Sequence, residues 1–256
     1  RKGRREMKMP FEQVLSRLTV QSRNGKTAQA VCPCHDDKHA SLSVTDTGDK
    51  VLLFCHAGCD YRDIILAINP IVAEYSYTDK NGNELFQSVR LEVKDFMQRR
   101  KDANGQWIYN LKGVRPVLFH LPNVINAIRD NRQIYLCEGE KDVLNLEKIG
   151  LVATSNPMGA GKWRDDYTTA LIGANVAILP DNDKAGREHA VKVAKSLYGK
   201  AKSVKIVELP NLREKGDVTD WLNAGGTAAK LAEIANATPE YSAKPQNTES
   251  EKVKPQ

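Results

Sequence analysis

Ile134-Tyr135-Leu136-Cys137-Glu138-Gly139 and, further along, Val176-Ala177-Ile178-Leu179-Pro180-Asp181-Asn182-Asp183 decide the fold. Each is a short apolar run that stops abruptly at acidic residues, the pattern of a strand buried on both faces that ends at the edge of a sheet. Working outward, Leu151-Val152-Ala153-Thr154 and Val204-Lys205-Ile206-Val207 read as two more strands. The intervening stretches 141–149, 163–172 and 185–198 have helical periodicity. Strands separated by helices of this length predict an α/β unit over 132–238, a mainly parallel sheet with helices on both faces. Functional groups of such sheets sit in loops at the carboxyl ends of the strands, where Glu138, Asp181 and Asp183 stand.

In extended chain, residues i and i+2 point to one side, which predicts that Asp181 and Asp183 aim their carboxylates at one point. Carboxylates gathered there repel one another unless a divalent cation lies between them, and hard oxygen ligands select Mg²⁺ or Mn²⁺. A third acidic cluster follows in Lys215-Gly216-Asp217-Val218-Thr219-Asp220. Asp142 stands one helical turn after Glu138, a place where an acid also favours the helix dipole, and Glu140 is expected to be solvated. Asn156-Pro157-Met158-Gly159-Ala160-Gly161-Lys162-Trp163 is not a P-loop, because Asn156 replaces the first glycine and Trp163 the Ser or Thr. As a loop at a strand end it either offers backbone N–H groups and Lys162 to a phosphate or is a plain turn.

Upstream, Cys32-Pro33-Cys34-His35 and Cys55-His56-Ala57-Gly58-Cys59 flank β-like pieces at 42–44 and 51–54, and a helix over 61–68 closes that unit. Two close ligand pairs joined by a hairpin suit a tetrahedral structural zinc site, with six side chains competing for four places. His39 reads as a solvated loop residue. The odd cysteine count argues against a disulfide framework. A short helix is expected over 10–18.

The middle segment is built of hairpins, with turn signals at Asn81-Gly82 and Ala103-Asn104-Gly105. It carries Arg90, Lys94, Arg99, Arg100, Lys101, Lys112 and Arg115 among aromatic residues, a combination suited to nucleic acid or nucleotides. The whole chain of 256 residues carries a net charge of only +6, so the distribution of charge and not its sum points to a polyanionic partner. No run of 18 apolar residues exists to span a membrane, and no apolar segment follows the basic start; a cytoplasmic protein without membrane association is expected. The expected division is 1–70 zinc-binding, 71–131 basic and β-rich, 132–238 catalytic, and 239–256 a disordered tail or linker.

These motifs resemble those of the bacterial and phage DNA primases. The Cys-Pro-x-His knuckle, with the following Asp36-Asp37 and Ser41-Leu42-Ser43-Val44, is similar to their zinc module in its phage and plasmid branch. The resemblance implies zinc on Cys32, His35, Cys55 and Cys59, although three residues instead of two separate Cys55 from Cys59. Glu138-Gly139-Glu140-Lys141-Asp142 and Asp181-Asn182-Asp183-Lys184-Ala185-Gly186 resemble the TOPRIM motifs, and the acidic cluster at 217–220 resembles the last of them. The fold implied is an α/β TOPRIM unit preceded by a β-rich zinc-ribbon-like module and a basic β-rich subdomain. The function implied is DNA primase: short RNA primers made on a single-stranded DNA template from nucleoside triphosphates, in a bacterial cell and encoded there or by a phage or plasmid. A replicative helicase, fused or separate, is the further partner implied. Catalysis would fall to Glu138, Asp181 and Asp183, with Mg²⁺ or Mn²⁺ on Glu138, Asp142, Asp181, Asp183 and Asp217. Nucleotide and DNA contacts would come from Arg90, Arg99, Arg100, Lys141, Lys162, Lys184 and Arg187. The alternatives are a TOPRIM-type metal-dependent nuclease and a non-catalytic DNA-binding or helicase-loading module.

Overall fold

A computed structural model describes residues 5–7, 9–93 and 95–242; Lys94 and most of the expected tail lie outside them. The chain divides into two compact units, Arg1–Tyr75 with Gln87–Asn110, and Ser76–Phe86 with Leu111–Gln256.

In the first unit, β1 (Arg5–Met7), β2 (Val20–Asn24), β3 (Thr27–Ala30), β4 (Leu42–Asp46) and β5 (Val51–Cys55) form an antiparallel sheet in the order β1-β5-β4-β3-β2. Alternation along β4 and β5 buries Leu42, Val44, Val51, Leu53 and Cys55 on one face. Against that core pack helix α1 (Phe11–Leu15) and helix α2 (Tyr61–Ile68), the latter through Ile64, Ile65 and Ile68. Helix α1 is shorter than expected: Ser16 turns its hydroxyl back onto the Gln13 carbonyl, and the N–H groups of Arg17 and Leu18 reach only three residues back. Asp60 caps α2 by accepting the Arg62 N–H.

Strands β6 (Ile71–Thr78), β7 (Glu84–Leu91), β8 (Phe96–Lys101) and β9 (Trp107–Ile108) follow in that order in one sheet. Its two tight hairpins share a device: Asp79 Oδ1 accepts the N–H groups of Asn81 and Asn83, and Asp102 Oδ1 those of Asn104 and Gln106. Gly82 (φ +88°) and Gly105 (φ +79°) supply the left-handed residue that each turn needs.

The second unit holds a parallel sheet of β10 (Gln133–Leu136), β11 (Val152–Thr154), β12 (Asn175–Ile178) and β13 (Ser203–Ile206), ordered β11-β10-β12-β13. Helices α3 (Leu121–Arg129), α4 (Glu140–Lys148), α5 (Asp165–Ala170), α6 (Lys184–Leu197), α7 (Val218–Asn223) and α8 (Ala228–Ala237) complete it. The apolar core is built from Ile134, Leu136, Val176 and Ile178 of the central strands, with Val124 and Ala127 of α3 and Ala190, Val193 and Leu197 of α6. Leu136 pairs with both Thr154 and Ile178, and Ile178 with Ile206, so all four strands end in register. The loops after them therefore emerge side by side along one edge. Among the described residues no helix is long and apolar enough to cross a membrane.

Candidate functional site

Two sites are built, one in each unit. In the first, pairing of β4 with β5 sets Leu42 opposite Cys55 and so brings the second knuckle beside the first. One ligand atom from each of Cys32, His35, Cys55 and Cys59 lies within 4.8 Å of the others, the set expected from the sequence. His35 Nδ1 is 3.2 Å from Cys59 Sγ. His56 is turned away, its Nε2 2.7 Å from Ser43 Oγ. Burial pushes the Cys55 thiol up, but the N–H of Cys59, the Ser41 hydroxyl and the N–H of Ala57 outweigh it and hold the thiol down at about 7. Burial raises the Cys32 thiol. Three sulfurs and one imidazole are a donor set that fits zinc.

Asp37 is a residue of this site that spacing arguments miss. Its side chain is only 4% exposed. Its Oδ2 accepts the Cys32 N–H at 2.6 Å, the Ser41 N–H at 2.9 Å and the Ser41 hydroxyl at 3.0 Å. Those bonds, the Cys32 N–H foremost, pull its carboxyl down to about 2. Asp37 thus fixes the backbone of the first knuckle as an anion; the only hint in the sequence is an acid two residues after His35.

In the second unit, Glu138 follows β10 and Asp181 follows β12, and adjacency of those strands sets them together. Glu138 Oε1 accepts the Asp181 N–H at 3.2 Å. Asp183 caps α6, its Oδ1 accepting the Gly186 N–H at 2.8 Å. Asp142, on α4 and 5% exposed, accepts the N–H and hydroxyl of Thr219 through Oδ1. Glu138, Asp142 and Asp183 are each anchored through one carboxylate oxygen. Asp217 differs: Oδ1 accepts the Asp220 N–H as the cap of α7, and Oδ2 pairs with Lys141 Nζ at 3.0 Å.

Burial raises Glu138, opposed by the Asp181 N–H and reinforced by Asp183 and Asp142. Burial, then Glu138, Asp142, Asp217 and Asp183, pushes the Asp181 carboxyl up to about 8. A clustered, partly desolvated set of carboxylates of this kind fits a hard divalent cation. Gly186 is required by the same crowding, since a Cβ there would lie 2.4 Å from Glu138 Oε1 and 2.6 Å from the Asp181 carbonyl.

Three expectations are corrected. Asp181 and Asp183 are not alternate residues of one extended chain: the Asp183 N–H bonds the Asp181 carbonyl at 2.8 Å, so the chain between them is turned. Among the described residues only the Cys/His cluster places three or more ligand atoms all within 4.8 Å of one another. Glu140 is not solvated; it is 7% exposed and accepts the Tyr77 hydroxyl at 2.8 Å. Arg99 is not available to a ligand: it is 6% exposed, donates through Nε and NH2 to Gln87 Oε1, pairs with Glu74 and stacks over Trp107.

Register explains the other arginines. Gln87 pairs with Arg99 on one face of β7 and β8, so Arg90 and Arg100 fall on the opposite face. Their Nε atoms are buried without a protein partner among the described residues. Arg187 donates to Asn182 Oδ1 at 2.9 Å, and Lys184 is exposed, 3.8 Å from Glu188. Lys162 stands exposed in the loop after β11.

A parallel sheet ordered in this way, with Glu-Gly after one central strand and Asp-x-Asp at the head of a helix after its neighbour, defines a Toprim-type domain. A Toprim-like family profile matches residues 135–222. The gene 57 protein of Mycobacterium phage D29 is 31% identical over 137 residues, 53% of this chain and 83% of that protein. The DNA primase of Staphylococcus epidermidis is 30% identical over 105 residues, 40% of this chain but only 17% of that protein. A solved structure of the zinc-binding and RNA polymerase domains of Aquifex aeolicus primase shares the fold, with a TM-score of 0.53 at 14% identity, over 91% of this chain and 84% of that one. The chain belongs to one family with the gene 57 protein of phage D29 and carries a Toprim-like domain that is similar in sequence to part of the staphylococcal DNA primase.

Proposed function

We propose that the protein is a DNA primase, which joins ribonucleotides into short primers on single-stranded DNA. The observation that carries this reading is the pairing of a Cys₃His cluster with a Toprim carboxylate edge in one chain. The matched region spans under a fifth of the staphylococcal primase, so the activity is this protein's to demonstrate. The proposed division is a zinc module over 1–70, a basic platform over 71–131 and a catalytic unit over 132–238.

Glu138, Asp142, Asp181 and Asp183 would hold Mg²⁺ or Mn²⁺, each anchored carboxylate offering its second oxygen. The bound cation supplies charge stabilisation at the transferring phosphoryl group. Glu138, fixed through Oε1 and raised by burial, would use Oε2 either to hold the cation or to take the proton of the attacking 3′ hydroxyl. Lys141, held against Asp217, orients that carboxylate, and Lys162, Lys184 and Arg187 lie on the loops and helix that frame the edge. Arg90 and Arg100, whose Nε atoms have no protein partner among the described residues, would meet template or nucleotide phosphates. Zinc on Cys32, His35, Cys55 and Cys59 would hold a module that engages the template. A replicative helicase is the proposed protein partner.

The test is incubation with single-stranded DNA, labelled nucleoside triphosphates and Mg²⁺ or Mn²⁺, followed by a denaturing gel. Short RNA products that vanish in Glu138→Ala support the reading; shortening of labelled DNA without new product favours the nuclease.

A further inference from the structure

The loop after β11 is folded around one buried histidine that the reading above does not use. His189, on α6, is 7% exposed, and Asn156, at the start of the loop, is 1% exposed. Asn156 Nδ2 donates to the carbonyls of Gly159 at 2.8 Å and Pro157 at 3.2 Å, so its Oδ1 is the atom left to accept. His189 Nε2 lies 3.3 Å from that oxygen and must be the protonated nitrogen. The lone pair of Nδ1 is then free to accept the Gly161 N–H, at 3.1 Å. One neutral tautomer satisfies the whole network, and it ties both ends of the loop to α6.

What the network holds is Lys162. On one side its neighbour Gly161 is bonded to His189; on the other, Trp163 is 9% exposed and donates its indole N–H to Thr168. An exposed lysine is thus mounted between two buried anchors. The backbone between Asn156 and Lys162 is unusual too, with positive φ at Met158 (68°), Gly159 (66°) and Gly161 (78°). These left-handed residues close tight turns, in which the N–H groups of Gly159 and Lys162 reach back to the carbonyls of Asn156 and Gly159 at 3.4 Å each, so it is the Lys162 side chain that the loop offers outward. The loop also abuts the carboxylate edge, since a Cβ on Gly159 would lie 3.8 Å from the Glu138 carbonyl. A cation on a rigid, strained loop beside a set of carboxylates suits a ligand that brings phosphate oxygens to a bound metal.

We infer that the Asn156–Lys162 loop receives the polyphosphate of the nucleotide through Lys162, and that His189 is a positioning residue that holds the loop in its receptive shape. The inference rests on the proposed nucleotide chemistry of this edge, but it can fail separately. His189 acts through Lys162, so the two should be non-additive.

Binding of ATP with Mg²⁺, in the presence of a template oligonucleotide, is measured by calorimetry on full-length wild-type, Lys162→Gln, His189→Ala and the double variant, and KM for ATP is measured beside it. Loss of one charge-assisted contact predicts a Kd and KM about tenfold higher in each single variant, with kcat little changed. The double variant should match Lys162→Gln instead of multiplying the losses. His189→Asn places Oδ1 where Nδ1 stands and should recover most of the affinity; His189→Leu, which fills space without accepting, should not. Additive losses, or equal rescue by Asn and Leu, would mean that His189 only packs, and would overturn the positioning role. Unchanged ATP affinity in Lys162→Gln, an exposed position that does not threaten folding, overturns the phosphate site even if His189→Ala fails to fold. Weaker template binding with unchanged ATP affinity reassigns the loop to DNA phosphates and overturns the nucleotide assignment. If wild type binds ATP with the predicted pattern but makes no primer, the primase reading falls and the latch stands. If wild type binds no ATP, the latch falls.

Discussion

Gly186→Ala should destabilise this protein, although it exchanges glycine for the best helix former inside helix α6. Helix propensity alone predicts a gain of about 1 kcal/mol. Against it stands the packing: the added Cβ would meet Glu138 Oε1 at 2.4 Å, the Asp181 carbonyl at 2.6 Å and the Asp181 N at 3.0 Å. The Glu138 carboxylate can swing aside, at the loss of its bond from the Asp181 N–H. The Asp181 carbonyl cannot, because it also accepts the Asp183 N–H that forms the turn. Overpacking of this kind costs about 1–3 kcal/mol and the lost hydrogen bond about 1 kcal/mol, so after the propensity gain the net effect is a loss of roughly 1–3 kcal/mol. For a chain of this size that lowers Tm by roughly 2–12 °C. Displacement of Glu138 and Asp181 by the order of 1 Å should also reduce primer synthesis about a hundredfold. Urea titration and the primer assay on the same preparation check both. The double change Glu138→Ala with Gly186→Ala should recover only part of the stability, since the carbonyl contact persists. A Gly186→Ala protein that is as stable as wild type, or more so, and fully active would refute the reasoning.

Further outcomes concern three other groups. The carboxyl of Asp181 is raised from 3.8 to about 8 by burial and its acidic neighbours, so this group's contribution to the stability of the metal-free fold is fully present below about pH 4 and is lost as pH rises through about 8. Asp181→Asn should therefore leave stability unchanged at pH 4 and raise it by roughly 2–3 kcal/mol at pH 9 after allowance for solvent screening, read by denaturation in chelator. Asp37→Asn, with all four zinc ligands in place, should weaken zinc binding about 10–100-fold in a competition titration, because an amide cannot accept from the Cys32 and Ser41 N–H groups and the Ser41 hydroxyl through one oxygen as an anion does. Arg99→Ala should cost roughly 2–4 kcal/mol in urea unfolding without the salt-dependent loss of DNA affinity that Arg100→Ala should show by fluorescence anisotropy.

The parallel sheet was legible because its strands are buried on both faces and read as short apolar runs broken by acids; Ile134 to Leu136 and Val176 to Ile178 leave little choice. The two Cys/His knuckles were legible because their spacing is local, but spacing left six side chains for four places, and it was the resemblance that singled out Cys32, His35, Cys55 and Cys59. What escaped the sequence depends on partners far along the chain. Glu140 looks like an exposed acid of a first helical turn until Tyr77, distant in sequence, arrives with a hydroxyl. Arg99 reads as one cation of a basic segment until the register places Gln87 across from it and Trp107 over its guanidinium. Helix α3 hides behind Pro122 in a stretch whose basic character suggested a continuation of the hairpins, yet Val124 and Ala127 join the core of the second unit. The turn before Asp183 was misread for a local reason: the Asp183 N–H bonds back to the Asp181 carbonyl, which folds the chain between the two acids before Asp183 caps α6.

Template-directed synthesis on homopolymers tests the central claim most directly. On oligo(dT), with Mg²⁺ or Mn²⁺ and each labelled ribonucleotide offered alone, the account predicts short products from ATP only, abolished by Asp181→Ala, which removes a carboxylate at the end of β12 while leaving the Cys₃His module intact. Incorporation that ignores the template, or that survives Asp181→Ala and Glu138→Ala, would contradict it.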